Sequence, residues 1–173
     1  MDTRTMTSQI DVSEHEERIG TVTETDIGAV SRNDVRRYAR TVEDSNRLFH
    51  DVDYARAQGY DDLVVPPNYL PAVIDYNEGP STDELREDGL DPAAFPVDLP
   101  PEAVLMGGGQ DLTFERYLTA GEPVTLTETF IDIYQRESDR MGTLSFLETY
   151  SEFDVEGEVV IECEETMIAG NRQ

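Results

Sequence analysis

The sequence predicts an α+β fold: helices in the first half, then an antiparallel run of strands that closes one sheet. Three observations carry the prediction. Val35, Tyr38, Ala39 and Val42 fall at i, i+3, i+4 and i+7 behind Ser31, which is one face of an amphipathic helix. Tyr69, Leu70, Val73 and Ile74 make a second apolar face behind Pro66 and Pro67. From residue 110 onward, strand-like segments rich in Thr, Val, Ile and aromatics recur at regular spacing between turn residues.

Each element has its own reason. Residues 1–13 are polar and are expected to be disordered, which leaves residues 14–173 as one domain with a sizeable core. Residues 19–30, rich in Thr and Val, read as extended. Ser31 is an N-cap with Asp34 three residues on, a capping box. That helix should end near Glu43 and deliver Asp44 and Asn46 into a turn. Residues 53–58 make a short helix closed by Gly59. A helix over about residues 66–77, bent by Pro71 and stopped by Asn77-Glu78-Gly79-Pro80, is expected to be the one the sheet wraps. Residues 79–103 carry Pro80, Pro92, Pro96, Pro100 and Pro101 among acidic residues. They read as a long connection with one helical turn near 83–87, and loops of this length are often functional. Strands follow at 110–117, 124–134, 144–153 and 158–169, with turns at Gly121-Glu122 and Asp154-Val155-Glu156-Gly157.

Composition narrows the function. The chain has 173 residues, 13 basic and 38 acidic, for a net charge of −25. All the basic residues are Arg. A carboxylate surface without lysine fits a cytoplasm full of salt, where screening removes the self-repulsion. Such a surface argues against nucleic acid and anionic membranes as partners. An anionic ligand would need local relief from Arg side chains or backbone N–H groups. The single cysteine, Cys163, has no intramolecular disulfide partner and reads as a small strand residue. Two histidines make a His-based metal centre improbable, and His15, in an acidic segment, is given no role. Without a membrane-spanning run or a signal-peptide pattern, the expected location is cytoplasmic.

The informative motif is Asp44-Ser45-Asn46-Arg47-Leu48-Phe49-His50-Asp51, followed by Val64-Val65-Pro66-Pro67-Asn68. It resembles the signature of the MaoC-like hotdog hydratases and dehydratases that act on enoyl and 3-hydroxyacyl thioesters, and most closely their FAS1-like branch. In catalytic members the segment reads Asp-x-Asn-Pro-φ-His-x-Asp and is followed by Ala-Pro-Gly-Met. The resemblance covers about residues 15–170. It implies a single hotdog fold, an antiparallel sheet around a central helix. It also implies an acyl-CoA or acyl-carrier-protein thioester as substrate, with no cofactor and no metal.

Hydration of an enoyl thioester needs a positioned water, a proton carrier and donors for the charge that grows on the thioester oxygen. With Asn46 and Asp51 in register, Asp44 takes the place of the family's catalytic Asp, and Phe49 that of its catalytic His. Phenylalanine moves no proton. Pro67 stands where the family has the Gly whose N–H faces the thioester, and proline has no N–H. Asp44, Asn46 and His50 are therefore candidate catalytic residues of a degenerate site. Phe49, Pro67, Asn68, Tyr69 and Gly108 are candidate substrate contacts. Gly107-Gly108-Gly109 lacks the spacing of a phosphate loop and reads as backbone passing close to the central helix or the ligand.

In double-hotdog members one half carries the chemistry and the other shapes the acyl tunnel. The resemblance thus implies a subunit that is inactive alone and pairs, sheet edge to sheet edge, with a second MaoC-like hotdog. Two alternatives stand beside it. One is an active homodimer using Asp44 and His50, and the other is an acyl-CoA-binding module with no enzymatic partner. The plainest reading of Asp44 and Asn46 is that of turn formers after a helix, and of His50 a hydrogen-bonded turn residue.

Overall fold

The computed structural model describes residues 10–73, 76 and 79–171. The chain runs α1 (Val12–His15), β1 (Val22–Ala29), α2 (Arg32–Thr41), α3 (Val52–Ala57), β2 (Ala103–Phe114), β3 (Pro123–Ser138), β4 (Gly142–Val155) and β5 (Glu158–Asn171). The strands form one sheet in the order β1-β3-β4-β5-β2 with every pair antiparallel. The α+β expectation therefore holds, with few helices and one sheet.

Local chemistry explains the early elements. Ser31 accepts from the Asp34 N–H, and the Asp34 carboxylate accepts from Ser31 in return, so the capping box is complete. At the other end of α2 the Glu43 N–H donates to the Arg40 carbonyl and the Asp44 N–H to the Ala39 carbonyl. This is a Schellman closure, and it puts Glu43 at φ 58° where glycine is usual. Asp51 caps α3 by accepting from the Tyr54 N–H at 3.0 Å. Between β4 and β5, Glu156 (φ 53°) and Gly157 (φ 91°) make the two-residue turn that suits strand twist.

Three expectations are corrected. Residues 66–73 form consecutive turns rather than a regular helix: Tyr69, Ala72 and Val73 each donate to the carbonyl three residues back. Pro71 lacks the N–H that an i→i−4 bond to the Pro67 carbonyl needs. Residues 74, 75, 77 and 78 of that expected helix lie outside the described residues. Second, disorder does not extend to residues 10–13. Ile10 is 6% exposed and α1 is capped by Asp11. His15 is buried as well rather than lying in an exposed segment. Third, β2 begins at Ala103, so Gly107-Gly108-Gly109 lies inside the strand. There the pairing with β5 shifts register between Gly107 and Gly109.

The core occupies one face of the sheet in two clusters. The larger joins Val35 and Ala39 of α2, Phe49, Leu63, Val64 and Leu70 to Phe153, Ile161 and Cys163. The smaller joins Phe130, Ile133, Leu147 and Ala169 to Ile10 and to Val97 of the long loop. The loop turns at Ser81–Glu84, a little before the helical turn expected near 83–87, and there the Ser81 hydroxyl and N–H both donate to Glu84. The Arg86 guanidinium, 7% exposed, donates to the carbonyls of Pro100 and Ala103 and ties the loop to the start of β2.

Candidate functional site

The segment from Asp44 to His50 is a tight turn held by its own side chains. The Asp44 carboxylate accepts from the Asn46 N–H at 2.8 Å, and the Asn46 side-chain oxygen accepts from the Leu48 N–H at 3.1 Å. Both residues are exposed and perform the ordinary work of Asx turns. His50 is partly buried, with Nε2 2.8 Å from the Asp44 carbonyl oxygen. A carbonyl only accepts, so Nε2 carries the proton there. The structure thus brings His50 to Asp44, but to its backbone rather than its carboxylate.

Phe49, in the position of the family's catalytic His, is 5% exposed and belongs to the larger core cluster. The substrate contact expected of it is not available from this position, since its ring packs inside its own chain. The alternation of the turn explains this: Phe49 points inward and His50 outward. Arg47 lies 4.1 Å over the Tyr54 ring and pairs with Asp51 at 2.7 Å, which fixes the start of α3.

Pro67, Asn68 and Tyr69 lie in the consecutive turns of residues 66–73. Pro67 is partly exposed and Asn68 exposed, and the Asn68 carbonyl accepts from the Tyr38 hydroxyl at 3.1 Å. Tyr69 meets Tyr38 edge to face with centroids 5.3 Å apart. Burial holds the Tyr69 hydroxyl above its usual pKa, so it remains a donor through neutral pH. Gly108 is placed elsewhere. A β-carbon on it would come within 2.8 Å of Thr166 on β5, so its small size serves strand-to-strand approach rather than the 66–73 segment. Gln110 makes that link instead, donating to the Pro71 carbonyl at 3.3 Å.

One feature escaped the motif reading. On the core-facing side of the sheet a polar band separates the two apolar clusters. It comprises Gln110, Glu128, Thr149, Ser151 and Glu165, one or two from each of four adjacent strands. Burial, then the charge of Glu165, pushes the Glu128 carboxyl above the usual range, and a weak hydrogen bond from Ser151 at 3.5 Å works against this. Burial likewise pushes the Cys163 thiol up to about 11, which leaves it inert. Strand parity contained the signal, since Glu128 lies two residues from Leu126 and from Phe130.

The described residues hold no group of three or more His, Cys, Asp or Glu arranged for a metal ion. None of their helices is long and apolar enough to cross a membrane.

A five-stranded antiparallel sheet in this order, with helices and loops packed on one face, is the hotdog fold seen in the MaoC-like dehydratases. The chain belongs to the family described as the FAS1-like dehydratase domain region, which it matches over residues 17–163. It is 33% identical over 130 residues to a UPF0336 protein of Parafrankia sp. (strain EAN1pec), covering 74% of this chain and 79% of that one. Among solved structures, a chain of the ChsH1-ChsH2 complex from Mycobacterium tuberculosis superposes with TM-score 0.67 at 19% identity, over 91% of this chain and 92% of that one. A chain of the C-terminally truncated HadBC complex from the same organism, a (3R)-hydroxyacyl-ACP dehydratase, superposes with TM-score 0.59 at 19% identity, over 86% and 96%.

Proposed function

We propose that this chain is the acyl-binding, non-catalytic half of an enoyl-thioester hydratase or 3-hydroxyacyl-thioester dehydratase, and that a separate MaoC-like subunit supplies the Asp and His. The observation that carries this reading is Phe49, buried at the position of the proton carrier. Two further points support it. The Asp44 carboxylate is used by the turn, and Pro67 has no N–H with which to steady an enolate oxygen. Both superposed chains named above belong to two-component complexes by their own descriptions.

The thioester carrier is anionic, and the positive charge is gathered where it would be needed. Six of the 13 arginines fall between residues 32 and 56, beside the motif. Arg36 donates to the His50 carbonyl, while Arg32 and Arg56 pair with Asp62. Arg37 and Arg40, both exposed, pair with no carboxylate among the described residues and are free to meet phosphate.

The test is reconstitution. The purified chain should hydrate crotonyl-CoA negligibly, and adding the MaoC-like subunit that co-purifies from its host should raise the rate above that of either component. If the mixture is no faster than the components, the reading fails. A second reading, a homodimer working through His50, has one observation in its favour. With Nε2–H held by the Asp44 carbonyl, Nδ1 is left as an acceptor. His50→Ala separates the two: it abolishes activity in the homodimer and leaves the two-subunit enzyme nearly unchanged. The third reading, a free acyl-CoA-binding module, requires that no hotdog subunit co-purify.

A further inference from the structure

The face of the sheet turned away from the core should be polar in a chain this charged, and half of it is. Toward the β4–β5 turn it carries Thr127, Tyr150, Glu152, Glu162 and Glu164, on the face opposite Ser151 and Cys163. Toward the β3–β4 turn it is apolar. Tyr134, Phe146, Ile168 and Met106 are paired neighbour to neighbour and make one row across four strands. All four are partly exposed, and neither core cluster includes any of them. Leu144 and Val104 extend the patch by one row, and Leu144 lies against Gly170, where a β-carbon would come within 2.7 Å of it. At sheet spacings these two rows span roughly 14 Å across the strands and about 7 Å along them, centre to centre.

Charge is placed on either side of the Tyr134–Phe146 row. Those rings stack at 5.0 Å with 3° between planes, and the Arg136 guanidinium lies 5.0 Å from one and 5.4 Å from the other. In a chain with 38 carboxyl residues, Arg136 pairs with none among the described residues. Arg136 is opposite Leu144, one row toward the β3–β4 turn, while Asp132 is opposite Glu148, one row the other way. The order along the strands is cation, aromatic pair, carboxylate pair.

We infer that this face docks a second copy of the same chain, back to back. A two-fold axis lying between the sheets and crossing the strands at the Tyr134–Phe146 row reverses the strand direction. It sets Arg136 of each copy over Asp132 and beside Glu148 of the other, with the Tyr134–Phe146–Ile168–Met106 row of each copy against its counterpart between them and Leu144 facing Glu148. The patch is thus complementary to itself, as an isologous interface must be, and it has the apolar centre and charged rim of one. This surface is on the opposite side of the sheet from the Asp44–His50 turn, so the inference stands whether or not the functional reading does.

The test is sedimentation of the full chain at micromolar concentration, in the lowest KCl concentration at which melting shows it folded. The wild type should associate reversibly, and Phe146→Asp should weaken the association by at least about tenfold. Two exposed-charge variants decide the geometry. Arg136→Glu alone, and Asp132→Arg with Glu148→Gln alone, should each self-associate about tenfold more weakly, while an equimolar mixture of the two regains wild-type association. A monomeric wild type overturns the inference. So does association that all three variants leave intact, or a mixture no stronger than its parts. Melting curves confirm that each variant is folded.

Discussion

The imidazole Nε2 of His50 lies 2.8 Å from the backbone carbonyl oxygen of Asp44, and this bond closes the turn that runs from Asp44 to His50. The two residues are together, yet the imidazole meets the Asp44 backbone and not its carboxylate. His50→Ala should therefore behave as a structural change. One partly buried hydrogen bond is worth about 1 kcal/mol, so chemical denaturation should report a loss of that size. The hydration rate of the reconstituted enzyme should stay within a factor of two or so of wild type. A large loss of rate without a loss of stability would assign the proton role to His50.

Glu43 holds the left-handed position of the α2 closure at φ 58°. A side chain with a β-carbon is strained there, and glycine is not. Glu43→Gly should raise stability by about 1 kcal/mol, measured as a shift in denaturation midpoint at constant slope, and should leave the turn at Asp44 unchanged. A destabilised variant would mean that the Glu43 side chain has a partner of its own.

Glu128 gives the protein a pH dependence of definite sign. Burial first, then Glu165, raises its folded-state pKa above the unfolded value of about 4.3. The folded chain thus binds this proton more tightly than the unfolded one. The stabilising contribution is fully present below the unfolded value and is lost as pH rises through the folded one. Glu128→Gln should therefore be more stable than wild type at neutral pH, and the advantage should shrink on acidification. Melting of both proteins across that range measures it, and a difference that does not change with pH would sink the assignment.

The charge of −25, with arginine in every Lys or Arg position, makes stability against salt a direct test of the composition. Screening at about 3 Å in 1 M salt removes most repulsion between exposed carboxylates. The melting temperature should climb as KCl is raised from low to molar concentration. A flat or falling curve would separate the composition from salt adaptation.

The sequence was most legible where a local rule acts alone. Ser31 with Asp34 and Asp154 through Gly157 each follow from one capping or turn rule, and each is present. It was least legible where rules compete. Tyr69, Leu70 and Val73 show helical spacing, but Pro71 removes a bond that such a helix needs, and described residues 66–73 settle as turns. Gly107-Gly108-Gly109 reads as a breaker in isolation. It lies within β2 because Thr166 of β5 leaves no room for a side chain at Gly108, a contact visible only once the strands are paired. At the candidate site, motif register set Phe49 where the family carries a histidine. What that exchange does to packing, a ring sealed into the core while His50 turns to the Asp44 carbonyl, needed the fold.

The most direct test of the two-subunit reading is the steady-state hydration of crotonyl-CoA by the purified chain alone, in molar KCl, over a wide range of enzyme concentration. The expected result is no turnover above the uncatalysed rate at any concentration. Turnover on the order of 1 s⁻¹ or faster from this single polypeptide, abolished by His50→Ala, would contradict it.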